Sequence, residues 1–249
     1  TQGMVLKDGS KMSKSKGNVV SQEEIIAKYG ADTARLFILF ASPPEKDLEW
    51  SDAGVEGSFR FLNRVWRLAH YVMEDVKAKG RSVDGPIEKE MQYHIHSTIK
   101  KVSDDVEGRF NFNTAISAVM ELVNETYKYM DMEYDHATMK EAVETILTLL
   151  APFAPHMMEE LWEILGHEGS VHDLPWPTYD LEKTVRDVVE IVVQINGKVK
   201  ERLTIEREAG KEAVEKLVME IEKIKSATEG KEMKKFIYVP GKLVNIVVK

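Results

Sequence analysis

The hydrophobic period changes once along this chain, and that change constrains its fold more than any other feature. From Ser21 to Leu165 apolar residues recur every three or four positions, whereas from Val188 onward they are β-branched and nearly continuous or alternating. The first pattern lines one face of a helix and the second one face of a strand. A mainly α fold with a small α/β domain at its end satisfies both.

The 249 residues suffice for two such units. The start reads as a short extended piece turning at Asp8-Gly9. A chain that opens in mid-strand, without an initiator Met, is expected to be part of something longer. Ser21, with Glu24 three residues on, opens a short helix that Tyr29-Gly30 ends. Asp32 starts a second helix, expected to be buried because Ala34, Leu36, Phe37, Ile38 and Phe40 are nearly continuous; Ser42-Pro43-Pro44 stops it. The spacing predicts a long amphipathic helix over 52–79 with Gly80 beyond it, then helices over 86–106, 113–132, 136–150 and 155–165, with Pro155 in a first turn. Antiparallel neighbours of this kind form a bundle. Residues 166–185, with Gly166, Gly169, Pro175 and Pro177, read as a linker. Beyond it lie a hairpin at Asn196-Gly197, a helix over 211–224 and two strands around Pro240-Gly241. The expected divisions are 1–50, a bundle over 51–165, the linker 166–185 and an α/β domain over 186–249.

No cysteine is present, which excludes disulfides, thiol nucleophiles and thiolate metal sites and points to a reducing, cytoplasmic setting. No apolar run is long enough for a membrane span or a secretory signal. The net charge of −8 argues at first against a nucleic-acid partner. Its distribution removes that objection. Residues 1–20 carry four Lys against one Asp, residues 186–249 fourteen basic against eleven acidic groups, and 21–185 sixteen against thirty. Screening makes fields local over about 8 Å in physiological salt, so two basic ends can act apart from an acidic middle.

The densest chemistry lies in Lys11-Met12-Ser13-Lys14-Ser15, continued by Lys16-Gly17-Asn18. Three cations, two hydroxyls and a glycine on a loop before a helix suit a polyphosphate. Ammonium groups neutralise charge on a leaving pyrophosphate, and hydroxyl and backbone N–H groups orient its oxygens.

Residues 11–15 match the full signature loop of class I aminoacyl-tRNA synthetases, and the flanks resemble the Leu/Ile/Val subgroup: Gly9-Ser10, Gly17-Asn18-Val19-Val20, Tyr29-Gly30-Ala31-Asp32-Thr33-Ala34-Arg35, Phe112-Asn113-Thr114-Ala115-Ile116, Leu150-Ala151-Pro152-Phe153-Ala154-Pro155-His156 and Trp176-Pro177. Gln194-Ile195-Asn196-Gly197-Lys198-Val199 and the stretch from Ile237 to Asn245 are similar to the C-terminal domain of bacterial leucyl-tRNA synthetases. The resemblance implies an anticodon-binding-type helical bundle preceded by a signature-loop and stem-contact region. It implies ATP, Mg2+ and leucine as reactants, tRNA(Leu) as partner, Lys14 as the main transition-state cation with Lys11 second, and Met12, Ser13 and Ser15 completing the ATP-binding loop. The family's second signature, His-x-Gly-His, is matched by none of the seven histidines. The catalytic fold and the editing domain are therefore expected elsewhere, in the same chain or a separate subunit, and this chain alone is expected to be inactive. A noncatalytic tRNA-binding module, a split-synthetase subunit and a Val or Ile enzyme remain open.

For RNA contacts, Arg60, Arg64 and Arg67 lie at helical spacings, with salt bridges to Glu56 and Glu74 as the rival use. Lys198, Lys200, Arg202 and Lys242 fall at the turns and strands of the final domain, where they suit phosphate contacts or serve as ordinary exposed charges. His94 and His96 are two apart on a predicted helix and do not share a face; the residues from His167 to His172 read as loop. No metal site is expected.

Overall fold

In the computed structural model the described residues are 3–74 and 85–249. The end of the long helix expected to 79, and its Gly80 cap, lie outside them. The chain divides into two units, Thr1–Thr184 and Val185–Lys249. Among the described residues no helix is long and apolar enough to cross a membrane.

Local signals shape the start of the first unit. Asp8 and Gly9 both take positive φ, 53° and 69°, and fold β1 (Val5–Lys7) back on β2 (Ser10–Lys11). On its other side β1 pairs in parallel with β3 (Leu48–Glu49). Ser21 Oγ accepts the Glu24 N–H at 3.3 Å and opens α1 (Gln22–Tyr29). Gly30, at φ 85°, separates it from α2 (Ala31–Ala41). That helix is not buried all round as expected. Leu36 and Phe37 go into the core, but Ile38 is 49% exposed, because consecutive helical residues point about 100° apart and neighbours cover only part of the circumference. Phe37 meets Trp50 edge-on at 5.1 Å between ring centroids. This approach requires Gly54: a Cβ there would sit 2.7 Å from the Phe37 ring.

The bundle comprises α3 (Asp52–Glu74), α4 (Pro86–Arg109), α5 (Phe112–Met130), α6 (His136–Leu150) and α7 (Pro155–Ile164). Its core is continuous, with Leu62, Ile95, Ile116, Leu122, Ile146, Leu147 and Met158 fully buried. Burying each such side chain contributes about 1.5–3 kcal/mol. Asp135 caps α6 by accepting the Thr138 N–H at 2.9 Å. The start of α7 has only Ala154 at its cap position, and Asp32 serves it from a distance. Instead of capping its own helix, Asp32 accepts the Met157 N–H at 2.6 Å and lies 2.8 Å from the His156 Nδ1. Arg35 adds a bond to the Pro152 carbonyl at 3.1 Å.

Residues 166–184, most of the expected linker, belong to the first unit; Ser170 and Val171 donate to Glu159 of α7, and from Trp176 onward the stretch forms a strap along α4. Trp176 Nε1 donates to Ser103 Oγ, the Asp180 N–H to His96 Nδ1, and Lys183 to Gln92, so the strap rises as α4 descends. Two 3-10 turns, Val171–Asp173 and Glu182–Thr184, break the stretch, and Val171 is buried. Tertiary bonds, rather than a local period, hold it.

The second unit is a four-stranded sheet, β4 (Val188–Ile195), β5 (Lys198–Glu206), β6 (Met233–Val239) and β7 (Leu243–Val248), in the order β5-β4-β7-β6. The two hairpins are antiparallel, and β4 and β7 join them in parallel. Asn196 (φ 48°) and Gly197 (φ 76°) make the predicted tight turn. The single helix expected over 211–224 is two, α8 (Lys211–Glu220) and α9 (Glu222–Thr228), broken at an extended Ile221. In one continuous helix Ile224 would point about 120° away from Val218. With the break, Val214, Val218 and Ile224 all enter the core.

The strap carries a pH dependence. Because His96 Nδ1 accepts from Asp180, the ring proton sits on Nε2, which is buried without a partner. Burial, seconded by Lys183, holds the His96 pKa below its ordinary value, against the opposing pull of Glu141 and Asp180. The unfolded chain therefore takes up a proton first, so this contribution to stability is complete above about pH 6.5 and is lost as pH falls toward and through the folded-state value. Urea unfolding between pH 7.5 and 5 should show stability falling with acid, and His96→Gln should flatten that fall by up to about 1.4 kcal/mol per pH unit. Equal slopes in both proteins would contradict it.

Candidate nucleotide and nucleic-acid interface

The residues from 11 to 18 form one closed loop. Met12 N–H donates to the Val5 carbonyl at 3.0 Å, which ties the loop to β1. Ser13 is extended, and Lys14–Lys16 make a 3-10 turn closed by bonds from Lys16 N–H to Ser13 and from Gly17 N–H to Lys14. Gly17 ends it at φ 67°, a conformation that glycine adopts without strain. Ser13 Oγ and Ser15 Oγ lie 3.2 Å apart. Asn18 closes the loop: its Oδ1 accepts the Ser13 N–H at 2.9 Å and its Nδ2 donates to the Lys11 carbonyl at 3.3 Å.

Lys11, Lys14 and Lys16 are all exposed, and none makes an ion pair among the described residues. Three uncompensated cations within six residues repel one another and favour an external anion. The structure thus brings Lys11, Met12, Ser13, Lys14 and Ser15 onto one short, hydrogen-bonded turn.

The arginines of α3 separate into two uses. Arg64 donates to Asn124 at 2.8 Å, its guanidinium lies 4.9 Å from the centre of the Tyr127 ring, and its carbonyl accepts the Tyr127 hydroxyl at 2.9 Å. It fastens α3 to α5. Arg60 and Arg67 are exposed and, among the described residues, have no acidic partner; neither Glu56 nor Glu74 pairs with them. In the second unit Lys198, Lys200, Arg202 and Lys242 are exposed. Arg202 is paired with Glu190 at 2.8 Å, whereas the three lysines have no ion-pair partner among the described residues.

The histidines follow the helical argument. His94 lies 3.2 Å from Glu90 on one side of α4, and His96 is buried on another. His167 stacks on Trp162 at 3.8 Å and lies 2.6 Å from Glu144. Among the described residues no group of three His, Asp or Glu could hold a metal ion.

Residues 88–215, about half of the chain, match the family model described as the anticodon-binding domain of tRNA ligase. Residues 1–51, which contain the closed loop, match tRNA synthetases class I (I, L, M and V). The chain belongs to the class I tRNA synthetases. Among solved structures it is similar to the agnB2 LeuRS of Agrobacterium radiobacter K84, described as a ternary complex with tRNA and LeuAMS. The identity is 31% and the TM-score 0.78; the likeness covers 100% of this chain and 33% of that one. The chain therefore spans about a third of the length of that LeuRS.

In this chain, sequence reasoning missed Asp32 as the cap of α7 and Asn18 as the closure of the loop. A signal for the first was present: Ala154 before Pro155 offers no side-chain acceptor, so the first-turn N–H groups of the helix were left to another partner. Asn18 left no comparable trace, because its bonds span five and seven residues of irregular backbone.

The two uses of arginine are separable by denaturant unfolding. Arg64→Ala should cost about 1–2 kcal/mol through the lost bond and ring contact, while Arg60→Ala and Arg67→Ala should stay within about 0.5 kcal/mol of wild type. Equal effects at all three positions would contradict the division.

Proposed function

We propose that the chain is a C-terminal part of a leucyl-tRNA synthetase, acting in the cytoplasm, that presents its signature loop to ATP during leucine activation and its helical and α/β units to tRNA(Leu). The observation that carries this reading is the LeuRS likeness through the whole chain, at 31% identity. Exposed Met4, Val5, Val19, Ile26 and Ile38, all within the first 51 residues, support a further fold that covers this region.

In the activation step a leucine carboxylate oxygen bonds to the α-phosphorus of ATP, the bond to pyrophosphate breaks, and negative charge grows on the leaving group. Lys14 is the cation proposed to meet that charge, with Lys11 second, and the adjacent Ser13 and Ser15 hydroxyls orient phosphate oxygens. The loop supplies cations and hydroxyls but no carboxylate. It fits the polyphosphate, and no residue of the loop is assigned to hold Mg2+, which when bound would add to the neutralisation of phosphate charge. Arg60, Arg67, Lys198, Lys200 and Lys242, all without ion-pair partners among the described residues, are the proposed phosphate contacts on tRNA. Arg64 and Arg202 already have partners within the protein.

In the complete enzyme, Lys14→Ala should slow ATP–pyrophosphate exchange by about 100-fold while tRNA affinity changes little. The 249-residue chain alone should show no exchange. Near-normal exchange by Lys14→Ala, or exchange by the chain alone, would contradict the reading.

A further inference from the structure

The closed state of the signature loop depends on one side chain outside the signature. Its two limbs run from Lys11 to Ser13 and from Lys14 to Gly17. The backbone bonds of the 3-10 turn join Ser13 to Lys16 and Lys14 to Gly17, which sets the tip. Among the described residues no backbone bond joins the base of the upstream limb to the chain beyond Gly17. Asn18 does so with both ends of its carboxamide, accepting from Ser13 N–H and donating to the Lys11 carbonyl. The two groups it binds flank Met12, so the carboxamide fixes the backbone on either side of the residue between Lys11 and Ser13.

Chemistry restricts what else could do this. An amide is both donor and acceptor on one planar group, which a carboxylate is not. Asp at this position would keep the acceptor for Ser13 N–H, lose the donor to Lys11 and add an anion beside three lysines. Ala would lose both bonds. A loop carrying three like charges without counterions gains from an internal tie, since repulsion alone would extend it.

Resting on the reading of this loop as the ATP-contacting signature, we propose that Asn18 is a positioning residue: its carboxamide holds Lys11 and Lys14 in the relative arrangement that meets the polyphosphate. Asn18 itself touches no substrate in this role. It acts through the backbone of Lys11 and Ser13, and its removal should lower the rate of the chemical step more than the affinity for the amino acid.

Two measurements test this together. Hydrogen exchange of the Ser13 amide in the 249-residue chain should speed up at least about tenfold in Asn18→Ala, because a hydrogen bond that protects it is gone, and stay slow in Asn18→Asp, which retains the acceptor. ATP–pyrophosphate exchange in the complete enzyme should fall in kcat by about tenfold or more in Asn18→Ala, with KM for leucine within about twofold. Lys14→Ala serves as the reference. If Lys14→Ala is impaired and Asn18→Ala exchanges at the wild-type rate, the positioning role is overturned while the functional reading stands. A slow Asn18→Ala with unchanged Ser13 protection also overturns it, because the loss would not pass through the tie. Were Lys14→Ala itself unaffected, the functional reading would fail and the proposal with it.

Discussion

Asp32 places a carboxylate from the first turn of α2 against the start of α7, 125 residues away in sequence. It is buried; one oxygen accepts the Met157 N–H at 2.6 Å and the other lies 2.8 Å from the His156 Nδ1. A charged acceptor at a helix start satisfies an otherwise unpaired donor and complements the helix dipole; such bonds contribute about 1.5–3 kcal/mol. The consequence is positional as much as energetic. The loop region reaches the bundle through α1 and α2, and α2 is fixed to α7 by Asp32 and by the Arg35 bond to Pro152. If the loop meets ATP and the bundle meets tRNA, as proposed, a rigid junction keeps events at one in register with the other.

That junction also explains why two motif stretches far apart in sequence share one fate. The residues from Tyr29 to Arg35 and from Leu150 to His156 meet in space, and each supplies what the other lacks: Asp32 an acceptor for an uncapped helix, Pro152 a carbonyl for Arg35. The strap repeats the device along α4, where Ser103, His96 and Gln92 hold the stretch from Trp176 to Lys183, which has no period of its own.

What could be read from the sequence follows the range of the forces involved. Helices held by an amphipathic face, such as α6 with its limits at His136 and Leu150, were legible to the residue because period and cap are local. So were the Asp8-Gly9 and Asn196-Gly197 turns, where φ is positive at both positions. The loop from Lys11 to Asn18 was legible as a cluster of lysines and serines, but not as geometry. Asn18, Asp32 and the strap escaped because each depends on side-chain bonds across irregular or distant backbone, which no periodicity encodes. The break at Ile221 escaped for a related reason: α8 and α9 share an amphipathic pattern, and only the position of the sheet decides where Ile224 must point. Arg64 shows the converse limit, since a spacing that fits a basic stripe equally fits a clamp on Asn124 and Tyr127.

The net charge of −8 is compatible with the proposed RNA partner by the same locality. The acidic groups concentrate in the middle of the sequence, while Lys11, Lys14 and Lys16 of the loop and Lys198, Lys200 and Lys242 of the second unit have no ion-pair partner among the described residues. ATP–pyrophosphate exchange by the complete enzyme, run in parallel with leucine, isoleucine and valine, tests the leucine assignment most directly. Leucine should be preferred in kcat/KM by about 100-fold or more over both, in line with what a shaped apolar pocket discriminates. A preference for isoleucine or valine would contradict it.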